Sequence, residues 1–144
     1  MPNTPKPQLT LRSGVTGDAV LDTVWSHVGG SETFEKIVRE FYRRVQTDEI
    51  LAPMYPDNDW EGAIWRLQKF LEQYWGGPTT YSEQRGHPRL RMRHAAFPIN
   101  AVARDRWLLH MNAALDAVKL PPMHDTAIRD YVTRAATALI NRAD

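Results

Sequence analysis

No cysteine occurs among the 144 residues, which excludes disulfide scaffolds, thiolate zinc sites, iron–sulfur clusters and cysteine nucleophiles. It is compatible with a reducing compartment. An excess of one charge is lacking too: 18 Lys and Arg face 17 Asp and Glu. A globally basic nucleic-acid binder is therefore disfavoured, and no nucleic-acid partner is expected unless charge is concentrated locally. No run approaches the roughly 18 apolar residues of a membrane span, and the start, MPNTPKPQLTLRSG, lacks the apolar stretch of a signal peptide. The chain reads as cytoplasmic, without an integral membrane segment. GxGxxG after a strand, GxxxxGK followed by Ser or Thr, HExxH and GxSxG are all absent, so the common enzyme signatures assign no catalytic residue.

What is present is 42% apolar residues, five tryptophans and ten prolines, enough for one compact core at this length. Three prolines sit in the first seven residues, and the others leave windows at 8–52, 57–77, 99–120 and 123–144. Proline is excluded from helix interiors, so long helices belong in those windows. The Pro/Thr-rich start predicts a flexible extension over residues 1–17, followed by a single domain over 18–144.

Apolar residues in the windows recur with helical period. Val20, Leu21, Val24, Trp25 and Val28 predict a short helix closed by Gly29-Gly30. Phe34, Ile37, Val38, Phe41, Tyr42 and Val45 keep the i, i+3, i+4 pattern without a miss, with Ser31 as the expected N-cap. Asp48 to Met54 allows one short turn before Pro53 and Pro56, which leaves Tyr55 on a proline-flanked corner. Trp60, Ala63, Ile64, Leu67, Phe70, Leu71, Tyr74 and Trp75 form a wide apolar face that ends at Gly76-Gly77-Pro78. Asp57 and Asp59 flank that helix's start, where capping is the expected duty. Ser82 and Pro88 are candidate starts of short helical turns. Asn100 is the expected cap of a helix ended by Pro121-Pro122, and a last helix is expected from Asp125. No window alternates with period two long enough for a strand. The fold class is all-α, with five or six helices.

His27, His110 and His124 each stand alone, and the expectation for them is a surface or satisfied core residue. His87 and His94 lie in Gln84-Arg85-Gly86-His87-Pro88-Arg89-Leu90-Arg91-Met92-Arg93-His94, where four arginines fall within nine residues. A solvated basic face and a nucleic-acid patch are two readings of that segment. A third follows from helical spacing: Leu90 and Phe97 share the face of His94, so its imidazole sits with apolar side chains beside arginines. An axial haem ligand needs such a setting, with a nitrogen donor, an apolar wall and cations for propionates.

Phe70-Leu71-Glu72-Gln73-Tyr74-Trp75-Gly76-Gly77-Pro78, then Tyr81-Ser82-Glu83-Gln84-Arg85-Gly86-His87-Pro88, then Leu90-Arg91-Met92-Arg93-His94 closely resembles the group II truncated haemoglobins. The likeness runs from Val28-Gly29-Gly30 to about Val118, and more loosely through the last helix. It implies a shortened globin, a two-over-two helical sandwich around haem b (iron protoporphyrin IX). By resemblance His94 is the proximal iron ligand of a five-coordinate centre, and Tyr42, Tyr55 and Trp107 are the distal hydrogen-bonding residues. Ala63 and Leu67 stand where larger globins carry the distal histidine and an apolar neighbour. The resemblance implies propionate partners in Arg66, Tyr81 and Arg93, and Phe70, Leu71, Met92, Phe97, Ile99 and Met111 are candidate pocket walls. The implied function is reversible binding of dioxygen or other diatomic and small anionic ligands, for storage, delivery or sensing, rather than catalysis. The alternative is a haem-based redox enzyme with peroxidase-like or nitric oxide dioxygenase activity, served by an electron-donating reductase.

Overall fold

The structure, a computed structural model, describes residues 22–144. The expected extension at 1–17, and Val20 and Leu21 of the first helix, lie outside the described residues. Seven α-helices follow in order: α1 Val24–His27, α2 Gly30–Val45, α3 Trp60–Tyr74, α4 Thr80–Arg85, α5 Leu90–His94, α6 Ala101–Val118 and α7 Pro122–Ala138. Two single 3-10 turns, Ala52–Met54 and Pro56–Asn58, make the proline-flanked corner around Tyr55. No strand occurs among the described residues, so the all-α expectation holds.

Helix α2 packs against both α3 and α6, and α6 packs against α7. The molecule is thus two helix pairs, α2–α3 and α6–α7, joined through α2 and α6. All six apolar positions of the α2 pattern are buried. Phe41, Val38 and Val45 are fully enclosed, as are Met111, Ala114 and Leu115 from α6. Burying side chains of this size stabilises the fold by roughly 1.5–3 kcal/mol each.

Helix starts show where sequence patterning and structure differ. Asn100 and Asp59 cap as expected, accepting from the N–H groups of Ala103 (2.8 Å) and Gly62 (3.0 Å). Asp57 makes no capping bond and sits at φ 62° inside the 3-10 turn. Ser31 is not the cap of α2. Gly29 takes that place at φ 116°, a conformation that costs glycine little, and α2 starts at Gly30. Ser31 is thereby drawn into the first turn, and its hydroxyl donates to Glu72 on α3 at 2.6 Å. Pro122 does not end a helix but opens α7, three residues before the expected start; its missing N–H costs nothing at a first helical position. Ser82 lies mid-helix in α4, held from both sides by Gln73, whose amide accepts from its N–H (3.0 Å) and donates to its hydroxyl (2.8 Å). Helix α5 begins two residues after Pro88.

Two buried carboxylates tie the helices together. Glu72 accepts from Trp25 Nε1 (3.0 Å) and Ser31 at one oxygen and from Gln68 (2.8 Å) at the other, so α1, α2 and α3 meet on one side chain. Burial pushes its carboxyl up, but those three bonds and the Lys69 ammonium outweigh burial and hold it below its ordinary value. Asp48 is the second. It accepts from the N–H groups of Ile50 (2.8 Å) and Leu51 (3.0 Å), from Arg106 Nε (2.9 Å), and shares a 2.6 Å bond with His110 Nε2. Burial opposes its ionisation, but His110, the two backbone donors and Arg106 together hold it well below the carboxylate range.

A carboxyl whose folded pKa is depressed contributes stability that is complete above its unfolded value, near 4, and lost as pH falls toward the folded value. Asp48→Asn is therefore expected to cost about 2 kcal/mol at pH 7 and to flatten the acid limb of the stability profile below about pH 4. Denaturant titrations across pH 3–7 check this. A variant that parallels the wild-type profile at every pH would remove Asp48 from the acid response.

Candidate functional site

Five aromatic rings from four elements meet beside α2. Tyr42, buried on α2, lies edge-on to Tyr55 of the proline corner, with ring centroids 5.5 Å apart and planes at 85°. Trp60, at the first turn of α3, closes the group against Tyr42 (6.1 Å) and Tyr55 (5.3 Å). Phe41 bridges to α6, 4.8 Å from Tyr42 and 5.0 Å from Trp107. The three residues implied as distal by resemblance are thus brought into one cluster, with Trp107 joined through Phe41. Phe41 and Trp60 belong to the same cluster, although on the sequence they read only as members of apolar stripes. Edge-to-face pairs of this kind are worth about 0.5–1.5 kcal/mol beyond their burial.

The cluster carries polar atoms as well as hydrocarbon. Burial, and then the neighbouring Tyr55 phenol, raise the Tyr42 hydroxyl well above its ordinary pKa, with the Arg66 charge acting weakly the other way. Burial likewise raises Tyr55, against the opposing effects of Tyr42 and Arg66. Both phenols remain protonated near neutral pH. Trp107 is half-buried, and no hydrogen bond from its indole N–H is formed among the described residues. On α3, Ala63 is buried and Leu67, one turn on, is half-buried. Neither supplies a polar atom, so donors on this side come from the aromatics.

His94 ends α5. Its Nδ1 lies 2.7 Å from the Leu90 carbonyl one turn earlier. That carbonyl can only accept, so Nδ1 is the donor, and in the neutral ring Nε2 is the nitrogen with the lone pair. Nε2 has no partner among the described residues. The other histidines are engaged differently: His110 on Asp48, His27 on Asp22 (3.1 Å), His87 Nδ1 accepting from the Arg89 N–H (3.1 Å), and His124 with its ring 5.4 Å from that of His27. A neutral imidazole whose second nitrogen donates to a backbone carbonyl is the arrangement that metal-ligating histidines adopt. The donor set therefore fits iron in haem.

The remaining candidates divide. Tyr81 on α4 is buried, stacked on Trp65 (6.5 Å, 23°) and edge-on to Phe70 (5.9 Å); Trp65 is a neighbour the sequence did not mark. Arg66 is half-exposed and lies 3.7 Å from Asp59. Arg93 donates from Nε to the Pro88 carbonyl (2.7 Å) and from Nη2 to that of Arg85 (2.9 Å). Much of its guanidinium thus shapes the turn before α5, and Nη1 is left for another acceptor. Phe70, Phe97 and Ile99 are half-buried, and Leu71 is in the core. Two of the expected walls differ from the others in exposure. Met92 stands two residues from His94, about 200° around the helix, and is 61% exposed, so it points away from the His94 face. Met111 is 0% exposed, enclosed in the core between the helices.

Helix order and paired packing define a small globin-type fold. A family model described as Bacterial-like globin matches residues 23–141, and the chain belongs to that family, as a group II truncated haemoglobin. The group 2 truncated haemoglobin of Bacillus subtilis is 46% identical over 92 residues, 63% of this chain and 68% of its own length. Among solved structures, the thermostable haemoglobin of the actinobacterium Thermobifida fusca is 51% identical with a TM-score of 0.82, covering 85% of this chain and 99% of that one. The group II truncated haemoglobin of Bacillus anthracis is 31% identical at a TM-score of 0.81, covering 85% and 93%. The two helix pairs are the two-over-two sandwich of these proteins.

Proposed function

We propose that this chain binds dioxygen and other small ligands reversibly at a haem b held by His94, with ligand binding rather than turnover as its primary role. The observation that carries the reading is the bond between His94 Nδ1 and the Leu90 carbonyl, which fixes the ring and leaves Nε2 free. When bound, haem would supply an iron able to take up a small ligand. Everything else is done by the chain. Tyr42, Tyr55 and Trp107 donate hydrogen bonds to acceptor atoms entering the distal side, and burial keeps the two phenols protonated. Ala63 leaves room, and Leu67 keeps the wall apolar. Phe70, Phe97 and Ile99 are the proposed walls, and Arg66, Tyr81 and the free Nη1 of Arg93 the proposed propionate partners. No helix among the described residues is long and apolar enough to cross a membrane, and a cytoplasmic location is part of the proposal.

Trp107 gives a test on the distal side. Its N–H has no partner among the described residues, so Trp107→Phe removes a donor with little loss of ring contact against Phe41. Dioxygen release is expected to quicken about tenfold, the equivalent of one hydrogen bond of about 1.4 kcal/mol. Stopped-flow displacement measures it; equal rates would show that Trp107 only packs.

A further inference from the structure

Among the described residues, the arginines around α5 form the one local group without a carboxylate partner; Arg142, past α7, is the other arginine without one. Arg39, Arg43, Arg44, Arg66, Arg104, Arg106, Arg129 and Arg134 each lie within ion-pair distance of a carboxylate. Arg85, Arg89, Arg91 and Arg93 have none among the described residues. The sequence explains why: between Gln73 and Arg104 the single carboxylate is Glu83, and it accepts from the Thr79 hydroxyl at 2.8 Å. Taking those four arginines from the chain's 18 Lys and Arg leaves 14 against 17 Asp and Glu. The molecule is therefore acidic apart from one compact basic segment.

Arg93 is occupied with backbone carbonyls, but Arg85, Arg89 and Arg91 are exposed. Arg85 lies over the Tyr81 ring at 5.8 Å, and Arg89 is held at φ 44° by the turn that launches α5. Amid them Met92 is 61% exposed on the face of α5 opposite His94. An exposed methionine flanked by arginines has the composition of a protein-contact patch, since both residue types are enriched at interfaces. Its location gives the patch a use: the same five-residue helix ends at His94, so a partner seated here is one helix thickness from the proximal imidazole.

We propose that Arg85, Arg89, Arg91 and Met92 form the docking surface for an acidic one-electron carrier protein of the iron–sulfur or flavin class. The proposal rests on the reading of His94 as the iron ligand. The redox step it serves removes one electron from the carrier's reduced centre and adds it to ferric iron, with no bond made or broken. A nucleic-acid duplex is the less favoured occupant, because three free arginines about a protruding methionine neutralise few phosphates.

The test titrates a plant-type [2Fe–2S] ferredoxin against the ferric haem-loaded protein, followed by calorimetry and by ferredoxin amide shifts, which do not depend on turnover. Binding is expected at low ionic strength and should weaken steeply with salt. Arg85→Gln/Arg89→Gln/Arg91→Gln should weaken it about tenfold or more, while Arg85→Lys/Arg89→Lys/Arg91→Lys stays within about threefold of wild type. The control Arg39→Gln/Arg43→Gln/Arg134→Gln lowers net charge equally and should change affinity less than about twofold. No binding at low salt, equal loss in the Gln triple and the control, or tighter binding of a DNA duplex than of ferredoxin would each overturn the proposal. If the loaded protein lacks a histidine-ligated spectrum while the contrast between triples persists, the His94 reading falls and the docking surface stands.

Discussion

His94→Gly is expected to lower haem affinity by about 100-fold or more, because loss of a partner one bond removed from a metal already costs 10- to 100-fold. The variant should remain folded: His94 is half-buried at the end of a five-residue helix, and the core built on α2, α3, α6 and α7 does not depend on its ring. Added imidazole in the millimolar range should fill the space and restore both haem retention and the absorption of the five-coordinate ferrous form. Rescue separates the loss of a ligand from general damage to the pocket. Unchanged occupancy without imidazole would remove His94 from its assigned role. The prediction depends on Nε2 being the free nitrogen, which follows from the 2.7 Å approach of Nδ1 to a group that can only accept.

Glu72→Ala is the substitution expected to cost most stability. It leaves the Trp25 indole, the Ser31 hydroxyl and the Gln68 amide without their shared acceptor, and removing one member of a buried charged network costs about 3–5 kcal/mol. Against a total stability of roughly 5–15 kcal/mol, that loss should lower the urea midpoint of the haem-loaded protein severely. Glu72→Gln keeps an acceptor oxygen and should cost less than half as much. A loss under about 1 kcal/mol in Glu72→Ala would show that α1, α2 and α3 are held by apolar contact alone. Part of the effect should appear at the entrance to α2, since Ser31 and Trp25 flank the Gly29-Gly30 turn.

How much of this was legible in the sequence depended on whether the interaction was local. The α2 stripe, the Asn100 and Asp59 caps and the Gly76-Gly77-Pro78 stop are set within a few residues of chain, and the structure reproduces them. The start of α2 was misread because two glycines at positive φ turn the chain without a side-chain cap, freeing Ser31 for a partner 41 residues away. Asp48 and Glu72 were invisible as hubs for the same reason: His110 lies 62 residues from Asp48, and Trp25 lies 47 from Glu72. His110 nevertheless behaves as expected of a lone histidine, a satisfied core residue. The basic segment could be seen, but not which guanidiniums were free; only the structure shows Arg93 turned back onto the carbonyls of Arg85 and Pro88. The distal cluster was assigned through resemblance, and its apolar partners Phe41 and Trp60 emerged only when α2, α3 and the proline corner were brought together.

Reversible ligand binding at a haem held by His94, beside a donor-lined distal side, is the function proposed for this chain. It is tested most directly by loading the wild-type chain with one equivalent of haem, reducing it under argon, and following its absorption through cycles of dioxygen admission and removal. The expected result is a five-coordinate, histidine-ligated ferrous spectrum that shifts on admission of dioxygen and returns to its starting form on each removal. A chain that retains no haem, or whose reduced spectrum is six-coordinate before any gas is added, would contradict it.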